Sequence, residues 1–222
     1  MFKPVWFIIV YCAALICYLY TRNGKKKLYR AINKYLMASM YLILAFVKFA
    51  RGYDLRTYHL LLLPALILAF LGDVFLVFDF GRGGDFFLAG NLCFIFYEQA
   101  VLSSHGIPLT RRWWIFAVAA LIIFSLGWAA TKYPEKVKME KMKYPMLFYL
   151  SSIVTHGLSG LAMMIYLPDT RFLVMGLGSL LFMFSDLILT TYKFIIRENN
   201  TWLVRLNSLT YFPGLLLIVL AM

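Results

Sequence analysis

One stretch of the chain decides the class of fold: residues 171–192 read RFLVMGLGSLLFMFSDLILTTY. Beyond its first residue, the stretch carries one charged side chain, that of Asp186. An α-helix rises about 1.5 Å per residue, so a helix of this length spans a hydrocarbon layer of about 30 Å. The stretch therefore predicts a transmembrane helix that holds a carboxyl group inside the membrane.

Similar apolar runs recur along the whole chain. Of its 222 residues, 63% are hydrophobic and 14% are charged, whereas soluble domains carry about 25% charged residues. A soluble protein of this composition would lack the polar side chains to cover its surface. The sequence predicts an all-α fold, a polytopic membrane helix bundle of about eight transmembrane helices, in one domain over residues 1–222. The predicted spans are 4–20, 33–50, 57–78, 86–104, 113–130, 145–166, 171–192 and 202–221.

The basic residues indicate a membrane rather than a nucleic acid as the partner. Twenty-two Lys and Arg against ten acids give a net charge of +12, but the bases gather beside the spans, as loops near anionic headgroups do. We expect no nucleic-acid partner. With the N-terminus outside, fifteen bases lie in loops on one side and seven on the other. The positive-inside rule then places both termini outside, and we expect an integral protein of a bacterial inner (cytoplasmic) membrane.

Three of the ten acids, Asp73, Glu98 and Asp186, lie inside apolar runs. An ionised group there is costly and usually marks a functional site. Four spans also carry polar residues on one helical face, which predicts a shared hydrated cavity. Interhelical hydrogen bonding is the alternative, and it explains Ser and Thr better than carboxylates. The faces are Asn91 with Glu98; Ser152, His156 and Ser159; Ser179, Asp186, Thr190 and Lys193; and Asn207, Tyr211 and Gly214.

Other residue patterns give weaker indications of a functional site. The three cysteines lie in apolar runs and are expected to pack, and the three histidines lack the spacing of metal ligands. We expect no metal and no cofactor. The run Gly81-Arg82-Gly83-Gly84 favours a tight turn over a cradle for a lipid phosphate. The sequence contains no nucleophile elbow, P-loop or zinc-protease motif.

Two neighbouring carboxyl groups in a low-dielectric cavity suit acid catalysis. Burial and mutual repulsion keep one group protonated while the other is ionised. The protonated group can donate a proton, and the ionised group can stabilise positive charge or activate water. Inside a bilayer, an enzyme of this kind would act on a lipid.

The segments around these acids resemble those of the lysoplasmalogenase family, the YhhN-like membrane proteins. The resemblance covers most of the chain from the second span onward, and it departs at Tyr97-Glu98, where the family has Ala-His, and at Gly214, where the family has Gln. The matching segments are Gly72-Asp73-Val74-Phe75-Leu76, Phe87-Leu88-Ala89-Gly90 with Phe94, the run from Gly178 to Asp186 closed by Phe194, Lys34, and Thr210-Tyr211.

The resemblance implies a hydrolase that cleaves the vinyl-ether bond of lysoplasmalogen, a lysophospholipid, to a fatty aldehyde and a glycerophospho-alcohol. The paired aspartates of the family correspond to Asp73 and Asp186. We predict Glu98, at the position of the family His, as a third catalytic group facing the same cavity. Predicted substrate-binding residues are Lys34, Asn91, Ser185 and Tyr211. The alternative is a non-catalytic lipid-binding membrane protein or a small proton-coupled transporter.

Overall fold

The computed structural model describes residues 4–21, 27–51, 60–135, 137, 142–196 and 200–222. These residues form eight α-helices without a strand, and a π-helical turn, Tyr192–Ile196, extends the seventh helix. Six helices are long and apolar enough to cross a membrane, and α1 and α3 are shorter apolar helices. The chain is an integral membrane protein, and the predicted helix bundle is confirmed. The helices are α1 (Pro4–Thr21), α2 (Lys27–Ala50), α3 (Leu62–Phe75), α4 (Phe80–Ser104), α5 (Leu109–Lys132), α6 (Lys143–Tyr166), α7 (Thr170–Thr191) and α8 (Thr201–Ala221).

The connection between α3 and α4 differs from the predicted one. The predicted span 57–78 begins among residues 52–59, which lie outside the described residues, and α3 ends at Phe75. The tight turn predicted at residues 81–84 is wrong, because these residues form the first turn of α4. The Asp79 side chain accepts hydrogen bonds from the backbone N–H groups of Gly81 (2.8 Å) and Arg82 (3.1 Å), and so caps the helix.

Gly83 explains why glycine is tolerated in that first turn. A Cβ atom on Gly83 would lie 2.8 Å from backbone atoms of Leu76, which follows the end of α3. Glycine weakens a helix in isolation, but here it allows α4 to fold back closely against the end of α3. The close approach brings residues of both helices to the same end of the bundle.

Two glycines let α7 and α8 pack backbone against backbone. A Cβ atom on Gly178 would lie 2.7 Å from the Gly214 carbonyl oxygen and 2.8 Å from Ile218 Cγ1. Small residues at such contacts are typical of helix pairs in membranes, where close van der Waals packing drives association. This contact fixes the position of α8 against the helix that carries Asp186.

Leucine at Gly178 will therefore destabilise the bundle, because its side chain must push α8 away. We expect Gly178→Leu to lower the unfolding temperature in detergent, with a loss of about 1–3 kcal/mol that overpacking usually causes. Gly84→Ala is the matched control, since a Cβ atom there meets no atom within 4 Å. Unfolding of Gly178→Leu at the wild-type temperature would contradict this account of the contact.

Basic residues hold the carboxyl end of α8. Lys48 Nζ, from α2, donates to the carbonyl oxygens of Val219 (3.0 Å) and Leu220 (2.6 Å). Arg171 Nε, from α7, donates to the Ala221 carbonyl oxygen at 2.7 Å. These cations contact the last carbonyl groups of α8 and oppose the negative end of the helix dipole. At the opposite end of the bundle, α2 and α8 begin while α3 and α7 finish, and the candidate site lies there.

Candidate active site

Asp73 is buried near the end of α3, with 1% of its surface exposed. Lys34 Nζ, from α2, lies 2.9 Å from Asp73 Oδ1 and forms an ion pair. The Tyr211 hydroxyl, from α8, donates a hydrogen bond of 2.7 Å to Asp73 Oδ2. A cation and a hydroxyl donor both stabilise a carboxylate, so this environment suits the ionised form of Asp73.

Asp186 is also buried, but its partners differ. The Tyr149 hydroxyl, from α6, donates a hydrogen bond to Asp186 Oδ2. Among the described residues, no ion pair of Asp186 is found. An unpaired charge at this depth in a membrane is costly, so the neutral carboxyl group suits this environment. The two aspartates thus occupy unlike surroundings, one beside a cation and one beside a phenol.

Both carboxyl groups line the smaller of two neighbouring cavities. The smaller has a volume of about 40 Å³, and its polar wall residues are Lys34, Asp73, Asp186, Asn207, Ser208 and Tyr211. The larger has a volume of about 200 Å³ and mostly apolar walls. Leu76, Phe87 and Leu189 line both, so the cavities are neighbours. Phe148 also lines the larger cavity and is 60% exposed on the outside of the bundle, so that cavity borders the lipid-facing surface.

Four of the seven predicted site residues line the smaller cavity: Asp73, Asp186, Lys34 and Tyr211. Ser185 is fully buried and lies beside the cavity instead. Asn207 Nδ2 donates to the Ser185 carbonyl oxygen (2.8 Å) and hydroxyl (2.9 Å), which ties α8 to α7. The structure thus brings Asp73, Asp186, Lys34 and Tyr211 together. Their predicted roles in catalysis and substrate binding stay predictions.

Glu98 lies in a separate buried group, which we name the Glu98 cluster: Glu98, His156 and Ser179. His156 Nδ1 lies 3.1 Å from Glu98 Oε2, and the Ser179 hydroxyl donates to Glu98 Oε1 at 2.8 Å. The ring of Phe94 stacks on His156 with centroids 4.9 Å apart. These residues of α4, α6 and α7 form a polar contact between three helices.

The expectation that Glu98 faces the cavity of the two aspartates is therefore wrong. Ser179 and Asp186 share one face of α7, but seven residues separate them along the axis by about 10 Å. The ring of Phe182 lies between the two groups, with its centroid 5.6 Å from that of His156 and 5.3 Å from that of Tyr211. Helical periodicity shows which face a residue occupies, but the depth at which another helix contacts it depends on packing.

Asn91 lines neither cavity. It is fully buried, and its Nδ2 atom lies 3.5 Å from the Ser152 hydroxyl of α6, while its Oδ1 atom has no partner. Its predicted contact with substrate is not supported by this placement. The face shared by Asn91 and Glu98 turns toward α6, as the Ser152 and His156 contacts show.

Tyr149 and Ser208 were not predicted to belong to the site, and Asn207 was predicted to face the cavity but was given no catalytic or binding role. Tyr149 lies one turn before Ser152 and two turns before His156 on α6, but fifteen tyrosines in the chain give no signal that distinguishes it. Asn207 falls on the polar face of α8 with Tyr211, and that spacing was sufficient to place it. In the described part of the chain, no three His, Cys, Asp or Glu residues lie close enough to hold a metal ion.

The comparisons with known proteins give one match. The family model of the YhhN family matches residues 29–222, which include α3 to α8 and nearly all of α2. Both aspartates, Lys34, Tyr149 and Tyr211 lie within the matched region. No curated protein and no solved structure matches the chain.

Proposed function

Since the chain belongs to the YhhN family, we propose that it is a lipid hydrolase that cleaves the vinyl-ether bond of lysoplasmalogen. The observation that carries this proposal is the pair of buried carboxyl groups with unlike partners, Asp73 beside Lys34 and Asp186 beside Tyr149. The pair lines a small polar cavity that shares three wall residues with a larger, mostly apolar one. A lipid whose reactive bond joins a polar glycerol to an apolar chain fits that arrangement.

The first chemical step is proton transfer to carbon. The Asp186 carboxyl group donates its proton to the vinyl carbon that does not carry oxygen, and the double-bond electrons form the new C–H bond. The other vinyl carbon becomes part of an oxocarbenium ion. The ionised Asp73 stabilises this positive charge, as a second carboxylate does in glycoside hydrolysis.

Water completes the reaction. A water molecule attacks the carbon of the oxocarbenium ion and transfers a proton to the Asp186 carboxylate, which restores the acid. The resulting hemiacetal breaks into a fatty aldehyde and a glycerophospho-alcohol. Together, these steps consume one lipid molecule and one water molecule, and the acid is regenerated.

Lys34 and Tyr211 act through Asp73 in this scheme. Their contacts with both carboxylate oxygens hold Asp73 ionised and fix its orientation. The carboxyl pair lies at the end of the bundle that the count of basic residues assigns to the cytoplasm. We therefore place the site toward the cytoplasmic leaflet, with the alkenyl chain in the larger cavity.

The test is aldehyde release by the purified protein in detergent. Lysoplasmalogen should be cleaved, whereas the matched lysophospholipid with a saturated ether should not, because it offers no double bond to protonate. Ethanolamine and choline headgroups are assayed in parallel. Release of aldehyde from neither would contradict the proposal, and stoichiometric lipid binding without turnover would favour a lipid-binding protein.

A further inference from the structure

Thr190 carries an unpartnered hydroxyl group inside the membrane. Its side chain lines the larger cavity with 7% exposure, and its Oγ1 atom has no hydrogen-bond partner. Helical Thr and Ser residues ordinarily bond to the carbonyl oxygen one turn earlier. Thr191, the next residue, does so, donating to the Leu187 carbonyl oxygen at 2.8 Å. The Thr190 hydroxyl is therefore available to a ligand in a cavity that is otherwise mostly apolar.

Helix geometry places this hydroxyl beside Asp186. The two residues are four positions apart on α7, so their Cβ atoms are about 5–6 Å apart on one face. A single water molecule can bridge two side-chain oxygen atoms that lie up to about 5.6 Å apart, because each of its hydrogen bonds is about 2.8 Å long. Buried water molecules require two or more polar partners, and the Asp186 carboxyl group and the Thr190 hydroxyl supply them.

We propose that Thr190 positions the water molecule that attacks the oxocarbenium ion. This inference rests on the proposed function and assigns a residue to its second step. The Thr190 hydroxyl holds the water oxygen, while the Asp186 carboxylate, having given its proton to the lipid carbon, accepts a proton from that water. The new C–O bond forms at the oxocarbenium carbon, and no other reactant enters. Thr190 is a positioning residue, since Asp186 performs both proton transfers.

A deuterium experiment separates the two chemical steps. When protonation occurs but water capture is slow, the oxocarbenium ion returns a proton to Asp186 and the vinyl ether is regenerated. In D₂O, the acid gives a deuteron, and rotation about the carbon–carbon bond lets the original hydrogen return to Asp186 in its place, which leaves deuterium at the vinyl carbon that accepted it. We expect Thr190→Val to lower the rate of aldehyde release about 100-fold, a typical cost of misplacing a reactant. Lysoplasmalogen recovered from this variant should gain deuterium faster than lysoplasmalogen recovered from the wild type.

Matched variants control for packing. Thr190→Ser keeps the hydroxyl and should restore most of the aldehyde release. Thr191→Val makes the same chemical change at a hydroxyl that bonds to its own helix, and it should leave the rate unchanged. A substrate that lacks the sn-2 hydroxyl should show the same loss with Thr190→Val, because the proposed ligand is water rather than the lipid glycerol.

The results that overturn the inference are distinct from failure of the proposed function. Wild-type turnover by Thr190→Val overturns it, and so does lost turnover without deuterium gain. If the loss of rate in Thr190→Val disappears with the sn-2-deoxy substrate, the inference is overturned as well, since the Thr190 hydroxyl then binds the lipid. A wild-type protein that releases no aldehyde overturns the proposed function, and this inference with it.

Discussion

Asparagine at Asp186 will reduce aldehyde release by about 10²–10⁴-fold, the usual contribution of a general acid. The amide keeps the shape of the side chain and can still accept a hydrogen bond from Tyr149, but it has no acidic proton to give to carbon. We also expect Asp186→Asn to lose the deuterium exchange described for Thr190→Val, because protonation itself stops. The measurements are aldehyde release and isotope content of the recovered lysoplasmalogen.

Asparagine at Asp73 will lower the rate for another reason. It removes the negative charge beside the oxocarbenium ion, and loss of one such stabilising group costs about 10²–10³-fold. It also leaves Lys34 facing a neutral amide, so unfolding temperatures are measured alongside the rates. Asp79→Asn is the control, since asparagine is an equally good helix cap. Turnover that persists in both Asp73→Asn and Asp186→Asn would remove the assignment of these acids.

Another large effect concerns the contribution of the Glu98 cluster to the stability of the folded protein. Either Glu98→Leu or His156→Leu leaves the other member of a fully buried pair without its partner. Breaking a buried pair in this way costs about 3–5 kcal/mol. The double variant Glu98→Leu/His156→Leu removes both polar groups and should recover much of that loss, since apolar replacement of a whole pair is often neutral. Thermal unfolding of the four proteins in detergent measures the coupling.

Activity of the same variants decides the role of Glu98. The Glu98 cluster is about two helical turns from Asp186, so we expect Glu98→Gln to retain wild-type turnover and the same dependence of rate on pH. A large loss of rate in Glu98→Gln with unchanged unfolding temperature would restore Glu98 to the catalytic residues. A stability loss in the double variant equal to the sum of the two single losses would show that the pair is not coupled.

Much of the fold follows from local properties of the sequence. Apolar runs such as 171–192 predict their helices because a membrane requires each span to satisfy its own backbone hydrogen bonds. The exceptions arise where packing overrides local preference. Gly81 to Gly84 resemble a turn in composition, but the cap at Asp79 and the close contact of Gly83 with Leu76 make them helical. That contact joins two helices, and the spacing of residues along the chain does not show how closely the helices pack.

The site could be predicted only in part for a related reason. Asp73, Asp186, Lys34 and Tyr211 were found because charged and polar groups inside apolar runs are conspicuous and because their segments resemble a known family. Tyr149 is one of many aromatic residues, and only the packing of α6 on α7 brings its hydroxyl to Asp186. Glu98 was placed on the correct face but at the wrong depth, since the helical period does not specify which level of a neighbour it meets.

The position of Phe148 has a consequence for how the rate should be expressed. Because this wall residue of the larger cavity is exposed on the lipid-facing surface, the proposed substrate would enter that cavity sideways, by diffusion within one leaflet. The rate would then depend on the mole fraction of substrate in the micelle or bilayer, which is a two-dimensional density, rather than on its molarity in the buffer. Adding inert detergent at constant substrate will slow the reaction by surface dilution. The aldehyde product would remain in the micelle or bilayer and compete with the substrate for the cavity, while the glycerophospho-alcohol would pass into the water.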